Sequence, residues 1–202
     1  MKLRISEPRP EAATKDLYTY GDYAKWPDEE RWELIDGVPY NMSPAPSRIH
    51  QKILGELHKQ IAVYLTGKTC EVYIAPFDVR LPKGDENDEQ IDTVVQPDLV
   101  VVCDREKLDE RGCKGAPDLA VEVLSPGTAG KDMKIKLALY ERVGVKEYWL
   151  VDPSNKTVQV YQLETAGPYG RPGIYTDADQ LKVGLFPDLT VDLSMVFKES
   201  TV

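Results

Sequence analysis

Pro117-Asp118-Leu119-Ala120-Val121-Glu122-Val123-Leu124-Ser125 is the stretch from which the fold is read. Apolar residues occupy both alternating faces from Leu119 to Leu124, as in a strand covered on both sides, yet Glu122 sets a carboxylate among them. A charge in that setting is costly unless it is paired. Upstream, Gln96-Pro97-Asp98-Leu99-Val100-Val101-Val102-Cys103 reads as a second covered strand, opened by another carboxylate at Asp98. The segment between them, Asp104 to Ala116, is charged and holds Gly112 and Gly115, so it reads as a connection without a crossover helix. The two strands are therefore expected to be antiparallel neighbours. A register with Asp98 opposite Glu122 places Val100 opposite Ala120 and Val102 opposite Asp118, all on one face, because side chains repeat with a period of two.

Opposed carboxylates in a low-dielectric sheet repel, so one is protonated or a cation lies between them, and a hard divalent ion suits oxygen ligands. After the turn Ser125 to Gly130, residues Lys131 to Val143 read as a helix. At about 100° per residue, Met133, Ile135, Leu137, Leu139, Tyr140 and Val143 form one apolar arc with Lys136 near its middle. A lysine in a core-facing stripe is unusual. Its expected partner is the acidic pair on the sheet, with Asp132 one turn earlier on the same face.

Elsewhere the chain is expected to hold a loose arm, Met1 to Asp16, and a single domain over residues 17–202, including a short capped helix at Thr19 and Asp22. Asp36-Gly37 between apolar runs predicts a hairpin. Glu33, on its first strand, reads either as an accessory acid or as a solvated edge residue. Ser47 caps a helix to about Leu65 whose buried face is Ile49, Ile53, Leu54, Leu57, Ile61 and Tyr64. His50 falls inside that arc, as a satisfied core residue or as a proton-transfer group. Strands are expected at Thr69 to Ile74, Phe77 to Leu81, Lys146 to Val151 and Thr157 to Leu163, and short strands and turns close one edge at the C-terminal end. Pro82 to Asp92 is acidic and reads as a disordered tip, and Gln96 either binds substrate or orders its loop.

No apolar run approaches the roughly 20 residues of a membrane span, and no apolar signal core follows the N-terminus, so the expected location is cytoplasmic. Cys70, Cys103 and Cys113 are odd in number without metal-binding spacing and read as reduced, structural thiols. The net charge of −9 argues against a broad nucleic-acid-binding surface, leaving a local patch among Arg48, Lys52, Lys59, Lys131 and Lys134.

Pro97-Asp98, Glu122-Val123-Leu124-Ser125-Pro126, Asp132, Lys136, Tyr140 and the run Gly144 to Pro153 together resemble the Uma-type restriction endonuclease family, which is similar to the PD-(D/E)xK nuclease superfamily. The resemblance extends back through Trp32 to Gly37 and His50. It implies a restriction-endonuclease-like α/β fold: a mixed sheet flanked by helices, with an additional N-terminal hairpin and C-terminal short strands. It also implies Asp98 and Glu122 as ligands of a divalent metal, to which the favoured reading of the site adds the Val123 carbonyl as a further ligand. The superfamily pattern sets a lysine two residues after the glutamate. Here that position is Leu124, so Lys136 supplies the charge from the helix. The resulting expectation is a Mg²⁺- or Mn²⁺-dependent endonuclease acting on DNA as a homodimer, with Asp98, Glu122 and Lys136 central and Glu33 and His50 second-rank. Two rivals stand beside it: a catalytically silent binding or assembly module on the same fold, and a carboxylate-pair hydrolase such as a glycosidase.

Overall fold

Thr19 opens the first helix of the computed structural model, which describes residues 17–27, 31–42, 45–165 and 167–198. The arm expected at Met1 to Asp16 lies outside the described residues. The Asp22 carboxylate accepts from the Thr19 backbone N–H at 3.0 Å and caps the single turn α1 (Tyr20–Tyr23). Strands β1 (Trp32–Ile35) and β2 (Val38–Asn41) form the expected hairpin, with Asp36 and Gly37 both at positive φ, 51° and 77°. That pair of left-handed residues is what a two-residue hairpin turn requires. Helix α2 (Arg48–Leu65) starts where the Ser47 hydroxyl accepts from the His50 backbone N–H at 3.2 Å. It buries His50, Ile53, Leu54, Leu57, Ile61 and Leu65, while Ile49, expected on that face, is exposed.

The middle of the chain supplies β3 (Glu71–Ile74), β4 (Val79–Arg80), β5 (Val94–Val95), β6 (Leu99–Val102), β7 (Leu108–Asp109), β8 (Gly112–Lys114) and β9 (Leu119–Val123). A π-helical turn, Lys131–Lys136, leads into α3 (Leu137–Val143), which stops at Gly144 with φ 85°. Then follow β10 (Glu147–Asp152), β11 (Thr157–Gln162), β12 (Gly173–Thr176), β13 (Gln180–Lys182), β14 (Thr190–Asp192) and α4 (Leu193–Val196).

One six-stranded sheet runs β12-β11-β10-β9-β6-β3, and its β9/β10 pair is parallel, bridged by the π turn and α3; a second runs β2-β1-β5-β4-β8-β7, and β13 pairs with β14 apart from both. The pairing of β6 with β9 is antiparallel as expected, although their connection also contributes the β7/β8 hairpin to the second sheet. Leu99, Val101, Leu119, Val121 and Trp149 face α2 and α4 on one side of the main sheet. Val100, Val102, Ala120, Tyr148 and Leu150 face α3 and the second sheet's Ile35, Val79 and Val95 on the other. The architecture is the mixed α/β class expected, with both faces of β6 and β9 covered.

Four local readings are corrected. Strand β1 is not an edge strand, because β5 pairs with it at Leu34↔Val94, and Glu33 is consequently buried. The acidic tip is tied down: Asp88 meets Arg80, Arg111 and Lys114. Cys70 and Cys103 are joined by a disulfide rather than reduced, because Glu71↔Val102 pairing sets them opposite one another across β3 and β6; Cys113 is free and buried. Met133 is exposed rather than in the apolar arc, since the π turn displaces it from an α-helical spacing.

Candidate active site

The pairing Leu99↔Val121, Val100↔Ala120 and Val101↔Leu119 puts Asp98 and Glu122 at facing positions where β6 and β9 end. Both line a cleft of about 390 Å³. Asp98 folds back so that its Oδ2 accepts from the Val123 backbone N–H at 2.8 Å and meets His50 Nε2 at 3.1 Å. A carboxylate oxygen accepts, so His50 carries its proton on Nε2. Its Nδ1 is buried and has no hydrogen-bond partner among the described residues. His50 comes from the first turn of α2, so Asp98 is reached by the helical layer on the far side of the sheet.

Glu122 faces the other layer. Its Oε1 accepts from Lys136 Nζ at 2.7 Å and from the Tyr140 hydroxyl at 3.0 Å. Lys136, only 2% exposed, also sits 2.7 Å from Glu33 Oε1 and 3.9 Å from Asp132 Oδ1. The widened π turn, with Leu137 N–H donating to the Asp132 carbonyl, lets Asp132 and Lys136 both turn inward, and the Tyr148 hydroxyl holds that same carbonyl at 3.2 Å. Glu33 is fully occupied: Oε1 also accepts from the Gln96 backbone N–H at 2.9 Å, and Oε2 accepts from Lys131. Lys131, expected as a surface cation, therefore belongs to the site.

These contacts push the acids apart in strength. Burial would raise Glu33, but Lys136 and Lys131 outweigh it and hold the carboxyl at about 2. Burial drives Glu122 well above the usual carboxylate range against the pull of Lys136, and the charges of Asp132, Asp98 and Glu33 add to the rise. Asp132 is raised by burial too. Burial alone would lower Lys136, yet Glu122, Glu33 and Asp132 keep its ammonium charged well beyond neutral pH. The cleft thus gathers more carboxylates (Glu33, Asp98, Glu122 and Asp132) than ammonium groups (Lys131 and Lys136), and the surplus negative charge calls for a proton or a cation.

The donor set is compatible with a hard divalent ion. Among the described residues, Asp98 Oδ1 and Glu122 Oε2 accept no hydrogen bond, while both Glu33 oxygens are taken. Val123 lines the same cleft. No three His, Cys, Asp or Glu side chains converge as a cage among the described residues. Two carboxylates, a carbonyl and outside oxygens match the way Mg²⁺ is commonly held.

At the mouth, Gln96 had two readings open in the sequence and Arg31 had none. Gln96 is buried, and its side-chain oxygen accepts from Arg31 Nε and Nη2 at 3.2 and 2.7 Å. Arg31 stands two residues before Glu33, and that period of two was the available signal.

The family model described as "Uma2: Putative restriction endonuclease" matches residues 20–195. An uncharacterized Synechocystis protein, slr1290, is 26% identical over 151 residues, spanning 73% of this chain and 75% of its own. The crystal structure of "a putative nuclease belonging to DUF820" from Anabaena variabilis superposes with a TM-score of 0.70 at 22% identity, covering 89% of this chain and 97% of that one.

Proposed function

The chain belongs to the Uma2 family, and from that premise we propose that it is a divalent-metal-dependent endonuclease that hydrolyses phosphodiester bonds in DNA at the cleft between β6, β9 and the π turn. The observation that carries the reading is Lys136: a buried ammonium shared by Glu33 and Glu122, in a cleft where, among the described residues, Asp98 Oδ1 and Glu122 Oε2 accept no hydrogen bond. Asp98, Glu122 and the Val123 carbonyl would hold Mg²⁺ or Mn²⁺, which when bound polarises a phosphate oxygen and acidifies a water.

The protein's own groups divide the remaining work. Lys136 is a fixed positive donor, because three carboxylates keep it protonated, so it stabilises charge developing on the phosphate rather than removing a proton. Glu33, saturated by N–H donors, orients Lys136 and Lys131. His50 orients Asp98 through Nε2–H, as Tyr140 orients Glu122. Homodimerisation would bring two such clefts to the two strands of a duplex.

The test is Mn²⁺- or Mg²⁺-dependent nicking of plasmid and of single-stranded DNA by the unaltered protein beside Asp98→Ala and Lys136→Ala. Loss in both variants is the expected result. Nicking that persists undiminished in both overturns the roles of Asp98 as metal ligand and Lys136 as charge donor, and no nicking by the unaltered protein in any metal favours a silent binding module on the same scaffold. Light scattering reads the dimer separately.

A further inference from the structure

Gln96 has its amide orientation settled by its neighbours. Nε2 donates to Asp78 Oδ1 at 2.8 Å and to the Tyr23 hydroxyl at 3.0 Å, so Oε1 must face Arg31. Tyr23 itself donates to Asp78 at 3.0 Å, closing a triangle behind the glutamine. Arg31 therefore meets a neutral oxygen on two of its N–H groups, and among the described residues no carboxylate pairs with it. Both Nη1 hydrogens and one on Nη2 stay uncommitted. Arg31 lines the same cleft as Asp98, Glu122 and Lys131, and the pairing Leu34↔Val94 places it on the rim just beyond buried Glu33.

The contrast with the other cations of the cleft is chemical. Lys131 and Lys136 lie directly against the buried carboxylates Glu33 and Glu122, whereas Arg31 is hydrogen-bonded to an uncharged partner and feels Asp78 only from behind it. A planar guanidinium fixed along one edge presents the other edge to a tetrahedral oxyanion in paired N–H bonds. We propose that Arg31 is a phosphate-binding residue, positioned by Gln96 and the Tyr23–Asp78 pair behind it, that takes a backbone phosphate flanking the one cleaved. Gln96 then neither binds substrate nor merely orders its loop; it aims the arginine. This rests on the nuclease reading above, and it explains how a chain of net charge −9 engages a polyanion through cations held in the cleft rather than a basic face.

The experiment measures fluorescence anisotropy of a short fluorescein-labelled DNA strand across a salt series, with Ca²⁺ replacing Mg²⁺ to suppress cleavage, and checks each variant by thermal unfolding. Arg31→Ala is expected to weaken binding roughly tenfold and to reduce the slope of log affinity against log salt by about 0.7. Arg31→Lys, which keeps the charge, is expected to retain the slope while losing part of the affinity. Gln96→Leu is expected to weaken binding with the slope unchanged, because the cation remains but is no longer aimed. A folded Arg31→Ala protein with unaltered affinity and slope overturns the proposal and leaves the nuclease reading standing. Absence of DNA binding by the unaltered protein removes both.

Discussion

Arg80 and Lys136 are both cations sunk in the interior, 0% and 2% exposed, yet both acids paired with Arg80 are lowered while those beside Lys136 split, Glu33 falling and Glu122 and Asp132 rising. Arg80 donates to Asp88 and Asp109, which reach solvent, and Lys114 and Arg111 add further positive charge beside Asp88. Asp88 is lowered, chiefly by Lys114 with Arg80 behind it. Asp109 is lowered too, although burial works against it, because Arg80 donates to it. Around Lys136 the acids outnumber the cations, and burial raises Glu122 and Asp132. A cluster whose acids are all met by cations holds the fold together; one left with surplus carboxylate and open oxygens in a cleft is set up to take a ligand.

The sharpest way to break that comparison is to remove each cation. Lys136→Ala is expected to cut nicking by about a hundred- to thousandfold; an equal rate per folded molecule would place Lys136 with Arg80 as structural. Arg80→Met is expected to act on stability instead, costing about 2 to 3 kcal/mol in urea unfolding. That lies below the loss for a fully buried pair, because the stranded aspartates reach water. Its activity per folded molecule should hold.

A smaller effect follows from pH. Glu33 is lowered in the fold, to about 2 from an ordinary 4.5, so its contribution to stability is fully present above pH 4.5 and is lost as pH falls towards 2. Glu33→Gln should therefore lie below the unaltered protein in melting temperature at neutral pH, and the two curves should converge on acidification. Curves that stay parallel down to pH 2 would mean that Glu33 is not charged in the fold.

The raised acids carry the opposite sign. Burial raises Glu122 and Asp132, so protons compete with a divalent ion for these carboxylates, and apparent Mn²⁺ affinity, read from thermal shift, should rise with pH. Glu122→Gln should abolish that shift while costing up to about 3 kcal/mol of metal-free stability, because Lys136 loses one buried carboxylate partner and keeps Glu33. A shift of full size in Glu122→Gln would exclude Glu122 as a ligand.

Much of the scaffold was legible in the residues. Apolar residues on both faces along Leu99–Val102 and Leu119–Val123 located the two covered strands, and the register that opposed Asp98 to Glu122 emerged from setting one against the other. Lys136 stood out because an α-helical projection put a charge in an apolar arc, and that projection survived even though the local helix is π-wound and throws Met133 outward. Asp36-Gly37 announced its turn. Glu33 was harder, because whether a hairpin strand is an edge depends on what pairs with its far side, and β5 is distant from β1 along the chain.

Local periodicity and turn chemistry, which act over a few neighbouring residues, were enough to determine from the sequence the paired strands, the opposed acids and the inward lysine. Tertiary structure alone decided which charges meet: Lys131 on Glu33, His50 on Asp98, Gln96 between Arg31 and Asp78, and Cys70 against Cys103. Each of those contacts joins segments with no shared period. A side chain's partner is then set by how sheets and helices stack, and the number of cations that reach each buried acid follows from that stacking.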